Sequence, residues 1–183
     1  LIKKISMKKI FIALLMIHSV AYTQSKKSLP QYLDLKPAVF SLSMVMMHDV
    51  VNPPAAARFY SYAVLSAYEI VAQNNSTVVP LSSILKDYKV EKISAGENSY
   101  DYRIAAVYAI LETGKKMLPS GFMLEEDEAK YLAALKKSKV RKAIIDSSVA
   151  VANFISDQMV AYAKGDGYLS LSTKLRYTPS KEE

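Results

Sequence analysis

Histidine is scarce in this chain and cysteine is absent. The 183 residues hold only His18 and His48. A zinc or haem centre, or a Ser-His-Asp triad, needs more ligands or bases than that. His48-Asp49 has the composition of a metal-binding dyad, but adjacent helical residues point about 100° apart. It reads as a structural hydrogen bond near a helix end. An oxyanion site needs several cationic donors converging with an acid or base. The arginines Arg58, Arg103, Arg141 and Arg176 fall singly on separate elements. Arg58 is expected to pair with Glu69, Asp101 or Glu112 inside a bundle. Tyr60, Tyr62, Tyr68, Tyr100, Tyr102 and Tyr108 read as interhelix packing with their hydroxyls at an edge. Met44, Met46 and Met47 read as adaptable core. The residue types thus assign no catalytic, cofactor-binding or metal-ligating residue to this chain.

The first 21 residues have the pattern of an export signal. Met7 is expected to start the natural protein, with Leu1–Ser6 as upstream read-through. Lys8-Lys9 precede the apolar run Ile10–Val20, and Ser19 and Ala21 supply small residues for cleavage after Ala21. The run is shorter than the roughly 20 residues a membrane span needs, so no stable span is expected once the leader is cut. The formal charge of +7 includes Lys3, Lys4, Lys8 and Lys9, and loss of these four lysines leaves +3. The remaining Lys and Arg alternate with acidic blocks such as Glu125-Glu126-Asp127-Glu128. That pattern argues against a nucleic-acid partner, whose binders cluster basic residues on one face. An exported, periplasmic or extracellular protein is the expectation.

The elements that must position these residues read as all-α. Only 5 glycines occur, and alanine-rich patterns repeat at a period near 3.6. A bundle of about five to six helices is expected over 36–167, after a polar lead-in over 22–35 and before an extended tail over 168–183. The helices are placed at Lys36–Val51, Pro53–Gln73, a short Pro80–Tyr88, Tyr100–Leu118, Glu125–Lys137 and Lys139–Lys164. Asn52 caps the second, with Pro53-Pro54 in its first turn. Its buried face is expected to hold Ala56, Phe59, Ala63, Ala67 and Ile70. Asn98 or Ser99 is expected to cap Tyr100–Leu118, which is apolar almost all round and therefore central. Glu125–Asp127 and Lys136-Lys137 complement the dipole of the next helix. Val140, Ile144, Val151, Ile155 and Tyr162 recur along the last, which Gly165 and Gly167 end through left-handed conformations.

Two stretches carry a family resemblance. They are the run from Phe40 to Gln73, FSLSMVMMHDVVNPPAAARFYSYAVLSAYEIVAQ, and the ending GDGYLSLSTKLRYTP from Gly165 to Pro179. The chain resembles the N-terminal helical half of bacterial vanadium-dependent haloperoxidases and type 2 phosphatidic acid phosphatase (PAP2-like) proteins. The resemblance implies a larger helical fold. Its intact members bind vanadate to oxidise halide with peroxide, or use the same pocket, with phosphate, to hydrolyse phosphate esters. Their Pro-Ser-Gly-His motif cradles the oxyanion and supplies an acid. Here the sequence reads Pro119-Ser120-Gly121-Phe122, so the acid is missing and the match reads as chance. No Arg-Pro dipeptide and no Ser-Arg dipeptide occurs. On this resemblance the catalytic residues would lie beyond Glu183.

Two readings follow. In the first, the chain is a non-catalytic N-terminal portion, truncated or split, of an exported enzyme of that kind. Its partner is then the missing C-terminal catalytic half, or another copy through self-association, and the chain alone is inactive. In the second, it is a free-standing periplasmic helical module for interaction or ligand binding.

Overall fold

A computed structural model describes residues 29–93 and 99–175, and the compact unit runs from Gln31 onward. Among the described residues there are five α-helices and no strand: α1 Lys36–His48, α2 Pro53–Asn74, α3 Tyr102–Met117, α4 Leu124–Lys137 and α5 Lys142–Ala163. The all-α expectation is met. The export signal over 1–21, most of the lead-in, Asn98, Arg176 and the last residues of the tail lie outside the described residues.

α3 is the axis of the bundle. Every residue from Ile104 to Gly114 is buried, and α1, α2, α4 and α5 all pack against it. Helices α2 and α5 approach it through small residues: Ala63, Ala67, Ala105, Ala109 and Ala152 are all 5 % exposed or less. Three hydroxyls knit that crossing. Ser66 donates to the Ala63 carbonyl at 2.7 Å, and Thr113 lies 2.9 Å from both Ser66 and Ser156. The Thr113 hydroxyl donates to Ser66 or Ser156, and those two serines donate onward to the Ala63 and Ala109 carbonyls. Such a network favours one register of the helices, because a slip would leave buried hydroxyls unpaired. Around it Leu42, Ile70, Ile110 and Ile155 are fully buried, each contributing about 2 kcal/mol of apolar transfer.

Caps and turns follow the sequence with some shifts. The Asn52 side chain accepts from the Ala55 amide at 3.0 Å, as expected for the start of α2. α1 stops at His48 rather than Val51, because Val50 takes a left-handed conformation at φ 50. Asp101, not Asn98 or Ser99, caps α3 by accepting from the Arg103 amide. The Pro80–Tyr88 helix reduces to a 3-10 turn at Leu81–Ser83. Gly167 supplies the expected left-handed residue after α5, whereas Gly165 sits in the 3-10 turn Lys164–Asp166. The first part of the tail is a second 3-10 segment, Tyr168–Thr173, instead of extended chain. In the polar lead-in, Gln31–Leu33 forms a 3-10 turn that buries Leu33.

Two burial expectations are corrected. The buried face of α5 is Ile145, Ser148, Ala152, Ile155, Ser156, Met159 and Ala163. Val140, Ile144, Val151 and Tyr162 are only half-buried. The serines and alanines lie where α5 meets α3, so close approach rather than side-chain bulk selects the face. On α1, Met46 is core, but Met44 and Met47 are exposed. With Phe40, 64 % exposed, they form a stripe at positions i, i+4 and i+7 on the side away from α3.

Candidate functional site

The residues singled out for chemistry do not meet in one place. His48 is exposed at the end of α1. Its neighbour Asp49 accepts from the Ser120 amide at 3.0 Å. Hydrogen bonds from the Ser120 hydroxyl and amide hold the Asp49 carboxyl below its ordinary range. Asp49 thus ties the end of α1 to the Pro119–Met123 turn, the structural role read from the sequence. Three amides of the turn are already committed. Its Ser120, Gly121 and Met123 amides donate to Asp49, to the Leu118 carbonyl and to the Ser120 carbonyl. Phe122 is 68 % exposed. Gly121 is required for contact: a Cβ there would stand 2.0 Å from the Lys115 carbonyl oxygen.

Arg58 pairs with none of the three acids expected. Its Nε donates to Asp166 Oδ2 at 2.6 Å and its Nη2 to the Ala163 carbonyl at 3.1 Å. The guanidinium stands 4.4 Å from the Tyr168 ring centroid and 5.2 Å from that of Tyr62. The other oxygen of Asp166 accepts from the Tyr168 amide at 2.8 Å, and Tyr62 donates to Oδ2 at 3.1 Å. Burial works against the charge on Asp166, but these bonds prevail and its pKa is lowered. Burial and the Asp166 bond push the Tyr62 phenol up to about 12. This clamp joins the two stretches that carry the family resemblance, because Arg58 opens α2 and Asp166 lies in the Gly165–Tyr168 ending. Asp101 pairs instead with Arg103, at 2.7 Å. Three tyrosine hydroxyls end at edges as expected, Tyr60 on Ser43 at 2.6 Å, Tyr68 on the Val79 carbonyl and Tyr100 on Asn74, whereas Tyr108 is buried on α3 near Glu128.

The strongest electrostatic feature was missed in the sequence. Lys115 donates to Glu112 Oε2 at 2.6 Å and to Glu128 Oε2 at 2.7 Å. Those carboxylate side chains are only 8 % and 7 % exposed. Lys116 adds a bond to Glu112 Oε1 at 3.1 Å and one to Asp157 at 2.7 Å. Among the described residues Glu128 Oε1 is buried with no partner. Burial raises Glu128 to about 7, with the neighbouring Glu112 adding to the effect. Burial also acts on Glu112, but bonds from Lys115, Glu128 and Lys116 outweigh it and hold that carboxyl low. In the sequence Glu128 ends an acidic block and reads as a surface charge at a helix start. The available signal was its spacing: it stands four residues after Leu124 and seven before Leu135, both core residues of α4.

Among the described residues no group of three or more His, Cys, Asp or Glu side chains could hold a metal ion. None of the described helices is long and apolar enough to cross a membrane.

The described helices have the fold of part of a vanadium-dependent haloperoxidase. One solved structure that carries this likeness is that of the first bacterial vanadium-dependent iodoperoxidase. It superposes with a TM-score of 0.70 at 24 % identity, over 78 % of this chain and 34 % of that one. The chain therefore spans about a third of the length of the protein it matches. No protein-family model and no curated protein matches the sequence.

Proposed function

We propose that this chain is a non-catalytic helical portion of an exported protein of the vanadium-dependent haloperoxidase and phosphatidic acid phosphatase kind, and that it supports the part carrying the catalytic residues. The observation behind this reading is the fold likeness to about a third of an iodoperoxidase. The sequence agrees, because Phe122 stands where an acid would be needed and the other catalytic motifs do not occur. The apolar face such a partner would cover is on α1. Phe40, Met44 and Met47 lie exposed there, and Val50 and Phe122 flank the Asp49–Ser120 tie at its end. The leader pattern at Lys8–Ala21 supports export. The chain alone is expected to give no turnover of iodide with peroxide and vanadate, and none of a phosphate ester. Turnover that survives purification and disappears in Ser120→Ala would sink the proposal. The covering of α1 is tested by co-expression with the catalytic half of a haloperoxidase of this fold. A complex lost in Met47→Asp supports it, whereas no complex speaks against it.

The free-standing module is favoured by one observation: α3 is enclosed by the chain's own helices. Among the described helices the uncovered apolar stripe is on α1. A stable monomer that binds no hydrophobic dye would favour this second reading.

A further inference from the structure

Two carboxylates share one ammonium at the α3–α4 junction, and the remaining partners are unequal. Both Glu112 and Glu128 reach Lys115 within 2.7 Å, which brings their oxygens close to each other. Glu112 has a second cation, Lys116. Among the described residues Glu128 has none, and its second oxygen is buried and unpartnered. Two buried like charges that close cannot both ionise at low cost. The carboxyl without a second cation is the one that keeps a proton, and as an acid it can donate a hydrogen bond to Glu112. We infer that Glu128 is the proton-operated latch of this fold, holding α4 on α3 when protonated and loosening that junction when ionised.

The groups that face the latch are few. From α3 come Tyr108, Glu112 and Lys115. From α5 comes Asp157, acting through Lys116. The Gly121–Met123 turn brings no ionisable side chain, and the Gln31–Leu33 turn brings Tyr32, near Tyr131. The ionisable residues of α1, Lys36 and His48, are exposed. The sign follows from burial. The folded state raises Glu128 from 4.5 to about 7, so it binds the proton more tightly than the unfolded chain does. The stabilisation is complete below about 4.5 and is lost as pH rises through about 7. Glu112 is shifted the other way, so its effect falls below 4.5, outside this window.

Denaturant unfolding of the whole chain between pH 5 and pH 8 tests the latch. The folding equilibrium constant is expected to fall on the order of a hundredfold as pH rises. In Glu128→Gln, which mimics the protonated acid, the profile should be flat and remain at the acid-side value. Matching profiles for the two proteins would overturn the inference. If the variant does not fold, carboxyl carbon NMR of the unaltered chain decides. One glutamate titrating near neutrality sustains the latch, and every glutamate titrating in the ordinary range ends it. Hydrogen exchange should also show α4 amides losing protection at pH 8 relative to α2. Equal loss in the two helices would count against a latch at this junction.

Discussion

Arg58 and Lys115 each tie two elements together, across 108 and 13 residues of chain, yet their surroundings are opposite. Arg58 meets one carboxylate, and every polar atom of that carboxylate is used: Asp166 accepts from Arg58, Tyr62 and the Tyr168 amide. Lys115 meets two carboxylates and leaves one oxygen of Glu128 unpaired. The first arrangement holds its acid ionised, and the second drives one acid toward neutrality. Counting ion pairs would rate the two alike. What separates them is the ratio of acids to bases and the number of donors left for each oxygen.

Removing the shared cation should have the largest effect. Lys115→Met leaves Glu112 and Glu128 buried against each other, and breaking a buried pair in this way costs about 3–5 kcal/mol. The loss should be greater at pH 8 than at pH 5, where Glu128 already carries a proton. Adding Glu128→Gln to Lys115→Met should restore part of it. Denaturant midpoints of the single and double variants give the coupling. Equal losses at both pH values would show that the shortage of bases is not what sets this junction apart.

The clamp should respond more weakly and more locally. Arg58→Ala removes a charged hydrogen bond, a carbonyl contact and the stacking on Tyr168. These together are worth about 2 kcal/mol at a half-covered site. The Lys164–Thr173 stretch should be cut faster by protease while α3 amides keep their protection. Arg58→Lys should recover little, because an ammonium cannot reach Asp166 and the Ala163 carbonyl in one plane. Uniform destabilisation of α3 would mean that the clamp is part of the global core.

What the sequence made legible follows the same division. Helix positions came from periodicity and caps, which are local: Asn52 with Pro53-Pro54 marked the start of α2, and the apolar run marked α3 as central. The partner of Arg58 lies 108 residues away, and no local pattern pointed to Asp166. Glu128 looked like its acidic neighbours, because a block of four acids hides which one faces inward. On α5, bulk suggested Val151 and Tyr162, but contact with α3 selected Ser148, Ala152 and Ser156. On α1, apolar residues at helical spacing read as core, and the same spacing serves a face left uncovered within these helices. Pro119-Ser120-Gly121 was legible as a turn, since proline and glycine constrain the backbone directly.

The smallest expected effect has the opposite pH sign to the latch. Asp166 has its pKa lowered in the folded state from 3.8. Its contribution is therefore present above about 3.8 and lost as pH falls through the lower folded value. The Asp166 side chain is 24 % exposed, so screening limits its worth to about 0.5–1 kcal/mol. Asp166→Asn keeps the shape and a possible bond to Arg58 while removing the charge. At pH 7 the variant should be less stable by that amount, and in strong acid the two proteins should converge. Added salt should narrow the gap at pH 7, because one edge of the pair faces water. The latch at Glu128 should be far less sensitive to salt, since its carboxylates are buried. A salt response of equal size at both sites would break the contrast between an exposed, fully matched pair and a buried, mismatched one.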